Sequence, residues 1–346
     1  RRRPSLSAAS WSSPPTTWTP KPPNDSLRHF SRSPTRTDDR CCATRFLDWS
    51  GGLPAKGDAY YLPRFFRQYL DSRGAVSAAE VRRAIDADRA AEPRPKEPLG
   101  PFQRVDIAFL GVWDTVMALG SRFRAAGEST STASRSFHVG ARPADCVRHA
   151  RQALAIDEAR YDFRPEVWTD RQPHQTLEQR WFAGVHSNVG GGYVDDGLAN
   201  LAYHWMLDEA VEQGLALAGD FADIYRGYPQ DRLYRSESWL YRLLDGVRLR
   251  FGRGRRSLSG WPAAAGLSLS PAVIHRLQAD PEARKANGEL RFPDLRQLYR
   301  PENVLRFLAC QSDLDRYLEE LGLADPAARA LPADVVVRLA ELRKEC

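Results

Sequence analysis

The sequence predicts an α/β fold, a mostly parallel sheet with a helical C-terminal region, and three observations lead there. Val105, Ile107, Ala108, Phe109, Leu110 and Val112 make the stretch from Val105 to Trp113 too continuously apolar for a half-exposed strand. It reads as a parallel strand buried on both faces. A second such run, Arg180 to Val185, delivers His186 towards Gly190, Gly191 and Gly192. Long stretches of helical spacing flank both runs.

The elements follow in chain order. The first 44 residues are crowded with Arg, Ser, Pro and Thr and carry only Leu6 and Leu27 as aliphatic residues beyond alanine. Such a segment cannot bury enough apolar surface to offset its ordering entropy, so residues 1–44 are expected to be disordered and without contacts to the core. Ser77-Ala-Ala-Glu80 is a capping box, with Val76 and Val81 placed as a hydrophobic staple, which starts a helix over Ala78 to about Ala91. Pro93 and Pro95 end it. After the Val105 strand, Gly120 to Thr132 is a polar loop. Asp145 caps a predicted helix through Asp157, because Val147, Ala150, Leu154 and Ile156 recur at roughly helical spacing. Tyr161 to Trp168 is a predicted short strand. Beyond Leu198 the pattern turns mainly helical, over Ala199 to Gln213, Ser236 to Phe251, Asn303 to Leu321 stopping at Gly322, and Ala333 to Arg343. The expected organisation is therefore a non-native segment at 1–44, a core at 45–235 and a helical region at 236–346.

Composition narrows the function. The formal charge of +6 is spread thinly, which gives no strong case for nucleic acid; a basic, Pro-rich nucleic-acid tail is the alternative reading of the N-terminal segment, and its arginines are scattered rather than clustered. Cys41, Cys42, Cys146, Cys310 and Cys346 are odd in number and lack metal-type spacing, so reduced thiols are expected, with no metal site and no cofactor. No run approaches the ~18 apolar residues of a membrane span, and Pro4 to Pro23 lacks the roughly 7–15 apolar residues of a secretory signal.

Two residues carry the candidate chemistry. Asp114 ends the first apolar run, where a carboxylate must reach solvent or find a partner. A bland alternative is that it caps the next turn through the Thr115 and Val116 amides. His186 ends the second run, and histidine titrates near neutrality, as a general base requires. Gly190, Gly191 and Gly192 allow close backbone approach or positive φ values and are the expected pocket loop. As a phosphate cradle that loop lacks any adjacent lysine, and Asp195 and Asp196 stand just beyond it.

Phe109-Leu-Gly-Val-Trp-Asp-Thr-Val116 and Gly184-Val-His-Ser-Asn-Val-Gly-Gly-Gly-Tyr193 together resemble the α/β-hydrolase family that includes the phospholipase effectors of type VI secretion systems. So do Arg45 to Trp49, His149 to Trp168, Val273-Ile-His275 and Tyr299-Arg-Pro-Glu-Asn303. The resemblance implies a serine ester hydrolase acting on a lipid or other ester, with Asp114 and His186 as two members of a triad and the glycines shaping the pocket. It also implies a bacterial protein, cytoplasmic or exported by a type VI system without a cleavable signal. The family's elbow, a Gly-x-Ser-x-Gly turn between strand and helix, is not in this sequence. Thr35 to Thr44, immediately before the Arg45 segment, has no glycine and no strand. The nucleophile is thus unassigned, and the expected fold is an α/β hydrolase truncated at its early strands and almost inert, or else a non-catalytic remnant. Ser31 lacks the flanking glycines, and Ser187 is expected to point away from its histidine neighbour. Many family members have Asp where Asn188 stands. Arg242 to Arg256 mixes six arginines with Leu243, Leu244, Val247, Leu249 and Phe251. It suits either a helix packed on the core with a solvated rim or a peripheral membrane contact.

Overall fold

A computed structural model describes residues 37–94, 96–116, 140–160, 163–217, 225–234, 256–279 and 298–346. Its centre is a four-stranded, all-parallel sheet in the order β1 (Ile107–Trp113), β2 (Val147–Ala155), β3 (Thr176–Phe182) and β4 (Leu267–Leu269). The α/β class expected from the sequence is what these strands and their flanking helices form.

Alternation along the strands decides what covers each face. Phe109, Trp113, Ala153, Ala155 and Phe182 point to one side, where the helix Gly197–Glu212 lays Leu198, Leu201, Ala202, Trp205 and Met206 against them. Gly111 faces that helix as well. A Cβ there would lie 2.6 Å from the Met206 sulfur, so glycine leaves the room that the Met206 side chain fills over β1. The opposite side carries Leu154, Trp181 and Leu269 and is covered by the C-terminal helices Pro271–Gln278, Glu302–Ala309, Leu314–Glu320 and Ala333–Leu342. On that side the buried Gln152 and Gln179 form a polar bridge. Gln152 donates to Gln179 at 2.9 Å, and Gln179 donates to the carbonyls of Trp168 and Ala265, both at 2.7 Å. These bonds pin the β2–β3 connection over the sheet and satisfy its backbone.

Ahead of the sheet, the helices Thr37–Ser50, Leu62–Ser72 and Ala78–Ala90 share an aromatic cluster of Phe46, Phe65, Tyr69 and Trp49. The predicted capping box at Ser77 and Glu80 is present, and Val76 and Val81 pack in the same cluster. Asp48 joins this unit to the sheet by accepting the Cys146 N–H at 2.9 Å.

Several expectations are corrected. Residues 145–157 hold β2 rather than a helix, since a central parallel strand buried on both faces has no two-residue alternation to display. Residues 163–168 are a connecting loop with one isolated bridge, Val116 to Pro165, rather than a strand. β3 starts earlier and ends earlier than Arg180 to Val185. Residues 37–44 are helical, not disordered, and Thr44 is buried, because the aromatic cluster just downstream anchors the helix to which they belong. The predicted helix from Asn303 to Leu321 breaks after Ala309 and restarts at Leu314, where the Asp313 side chain caps the new N-terminus. Cys310 and Cys346 form a disulfide, with Cα atoms 5.5 Å apart, instead of remaining thiols; packing of the last helix on Glu302–Ala309 brings them together. The region 236–346 contributes β4 to the sheet besides its helices. The predicted helix Ser236 to Phe251, Ser31 and the loop Gly120 to Thr132 lie outside the described residues.

Candidate active site

The end of β1 and the end of β3 converge on one point. Asp114 follows the last residue of β1 with φ 43, a left-handed conformation that costs a residue with a side chain. Its N–H bonds to the Ala153 carbonyl at 2.6 Å, so the neighbouring strand holds the turn. The carboxylate is completely buried and points back across the sheet end. Oδ1 accepts the Ala155 N–H at 2.9 Å, and Oδ2 meets Nδ1 of His186 at 2.7 Å. The turn-capping alternative through the Thr115 and Val116 amides does not describe this geometry.

His186 opens a short helix, His186–Gly190, instead of standing in a loop. Gly184 makes the entry to that helix: its φ is +126, and a Cβ on it would come within 2.5 Å of the Asn188 Cβ. Glu158, itself buried and bound by Arg160 through two bonds of 2.9 Å, accepts the His186 N–H at 3.2 Å. The Phe163 ring stands edge-on to the imidazole, 5.3 Å between centroids, and Arg160 stacks over Phe163. Among the described residues no side chain bonds the other ring nitrogen, Nε2.

Sequence reasoning missed a third group. Arg256, at the end of the arginine-rich stretch, is buried and grips Asp114 with both arms of its guanidinium: Nη1 on Oδ1, and Nη2 on Oδ2 at 3.0 Å. It also donates to the carbonyls of Ala155 at 2.6 Å and Phe163 at 2.5 Å. Six arginines in one run read as a solvated or membrane-facing rim, and only the fold shows that this one turns inward. Burial alone would push the Asp114 carboxyl up; the Arg256 charge and the His186 bond outweigh it and hold the group well below the usual carboxylate range.

The glycines divide. Gly190 closes the short helix, while Gly191 and Gly192 carry φ of 84 and 122, and a Cβ on either would meet open space. Asn188 braces the backbone around the site, its side-chain oxygen accepting the N–H groups of Val185 and Tyr234 at 3.3 and 3.1 Å. Ser187 lies on a helix rather than on a strand end. Beside the site, Asp157 accepts from the Gly184 N–H and the Tyr299 hydroxyl, and burial pushes its carboxyl up to about 6. Among the described residues no cluster of His, Cys, Asp and Glu could hold a metal ion.

What this arrangement can do is bounded by its two polar ends. A buried carboxylate on Nδ1 fixes the proton on that nitrogen and leaves Nε2 as the basic atom. Residues 42–209 match the family model of the T6SS phospholipase effector Tle1-like catalytic domain. No curated protein matches the chain. Among solved structures, an uncharacterised protein from Pseudomonas aeruginosa is similar at 16% identity, over 70% of this chain and 34% of that one, with a TM-score of 0.27. The chain thus spans about a third of that protein's length.

Proposed function

We propose, on the match of residues 42–209 to the T6SS Tle1-like phospholipase effector catalytic domain, that the Asp114–His186 pair is the base and orienter of a serine-type ester hydrolase acting on phospholipids. The observation that carries the reading is the 2.7 Å bond between Asp114 and Nδ1 of His186 at adjacent strand ends. With Nδ1 protonated and bound, Nε2 takes the proton of an attacking hydroxyl. The imidazolium so formed returns that proton to the leaving alcohol, and the same nitrogen then deprotonates the water that releases the acyl group. Gly191 and Gly192 shape the rim of the pocket.

The sequence contains no Gly-x-Ser-x-Gly elbow, so we assign no nucleophile and propose that this chain by itself turns over esters poorly. Removal of a triad nucleophile costs on the order of 10⁶ in turnover in a well-studied protease. Delivery by a type VI system and a bacterial origin follow from the family and belong to the same proposal. The peripheral-membrane alternative rested on Arg242 to Arg256. Its last arginine, Arg256, turns inward and is buried against Asp114.

An assay on short acyl esters and on phospholipid vesicles tests the reading. The expected turnover is near background, with any excess lost in His186→Ala and unchanged in Ser31→Ala and Ser187→Ala. Robust turnover that survives His186→Ala would overturn it.

A further inference from the structure

We infer that Arg256 is the positioning residue of this site, fixing the plane of the Asp114 carboxylate and thereby which nitrogen of His186 keeps its proton; the inference rests on the reading of the pair given above. Asp114 enters the site from a left-handed backbone conformation, and its main-chain bonds alone leave the carboxylate one fixed contact, the Ala155 N–H on Oδ1. Arg256 supplies the rest. A planar fork facing a planar carboxylate sets both the distance and the plane, which a lysine, with one point charge, cannot do. The arms meet Oδ1 and Oδ2, so the oxygen that receives the imidazole N–H is held from behind.

The same guanidinium organises two further parts of the site. Its bond to the Ala155 carbonyl ties down the end of β2, and its bond to the Phe163 carbonyl fixes the loop whose ring stands against the imidazole. Arg256 is itself held from outside, its carbonyl accepting the Asn303 side-chain amide at 3.1 Å. Asn303 lies on the helix Glu302–Ala309, so this arginine links the C-terminal region to the site, beside the Tyr299–Asp157 bond. A chemical consequence follows. The Asp114 charge is already matched by Arg256, so the carboxylate acts on His186 mainly by orientation and tautomer selection. It offers an imidazolium less unmatched negative charge than a carboxylate without such a partner would.

Proton and nitrogen NMR of the 346-residue chain tests this without needing turnover. The neutral His186 should show an Nδ1–H resonance far downfield of the amides, absent in His186→Ala and Asp114→Ala. In Arg256→Lys and Arg256→Gln the resonance should move upfield or exchange with water at least tenfold faster, and added guanidinium should restore it in Arg256→Ala. Variants that keep the wild-type resonance and exchange rate would overturn the role of Arg256 alone. Its absence in the wild type would overturn the Asp114–His186 reading and this inference with it. If the Arg256 variants fail to fold, the wild type still decides: resolved Nη protons of a guanidinium locked on Asp114 are expected, and a single averaged signal from a freely rotating group would refute the inference.

Discussion

Breaking the Asp114–Arg256 pair from one side should cost far more than removing it from both. The two side chains are buried and joined by paired bonds, with Nη2 to Oδ2 at 3.0 Å. Opposite charges about 4 Å apart attract by about 4 kcal/mol at the effective dielectric of a protein interior. Asp114→Asn leaves the guanidinium buried without its counter-charge, and Arg256→Met leaves the carboxylate with only the Ala155 N–H and the imidazole. Each should destabilise by about 3–5 kcal/mol, the usual consequence of orphaning one member of a buried pair. The double variant Asp114→Asn/Arg256→Met buries no net charge at this point. Its cost should fall short of the sum of the singles by about 2–3 kcal/mol. Urea unfolding followed by far-UV circular dichroism, with equal slopes for the four proteins, supplies the cycle. Additive costs, or single variants within about 0.5 kcal/mol of wild type, would refute the claim that the pair is buried and coupled.

Further outcomes are expected elsewhere. Gly111→Val should cost about 1–3 kcal/mol by displacing the Met206 side chain that packs over β1, and a midpoint unchanged in urea would contradict the close packing. Reducing Cys310–Cys346, or replacing Cys310 by Ser, should remove about 3–4 kcal/mol, since the bond closes a chain segment with a separation of 36 residues; it should appear as a lower melting temperature in dithiothreitol than without it. Asp157 takes up its proton more tightly folded than unfolded, so its contribution is full below about pH 4 and lost as pH rises through about 6. Asp157→Asn should therefore flatten the stability profile between those values, by at most about 3 kcal/mol and less because the side chain is partly exposed. An unchanged profile would show that the carboxyl is not perturbed.

What could be read from the sequence depended on whether a residue's surroundings are local. β1 announced itself because an apolar run stops dead at Asp114, and the helix after Ser77 because its cap lies within four residues. The two convergent strand ends were likewise legible in their motifs, although His186 proved to open a helix. β2 is a strand where helical spacing pointed to a helix, since its buried apolar positions at 147, 150, 153, 154 and 155 satisfy that spacing as well as that of a strand covered on both sides. The break before Asp313 was hidden because apolar residues continue past it, and the capping aspartate had looked like any surface acid. Arg256 and the disulfide were out of reach for a different reason. Their partners lie 142 and 36 residues away in the chain, and only the packing of the C-terminal region onto the sheet brings them together.

The central claim is that His186, oriented by Asp114, is a general base awaiting a hydroxyl. Among the described residues no strand pairs with the outer edge of β1, which is where a strand leading into a nucleophile elbow would join the sheet. Fusing such a strand and a Gly-x-Ser-x-Gly turn ahead of residue 45, then following hydrolysis of a short acyl ester, tests the claim most directly. The predicted result is esterase activity well above that of the unmodified chain, lost in both His186→Ala and the elbow Ser→Ala variant. A folded fusion without activity, or with activity indifferent to His186, would contradict it.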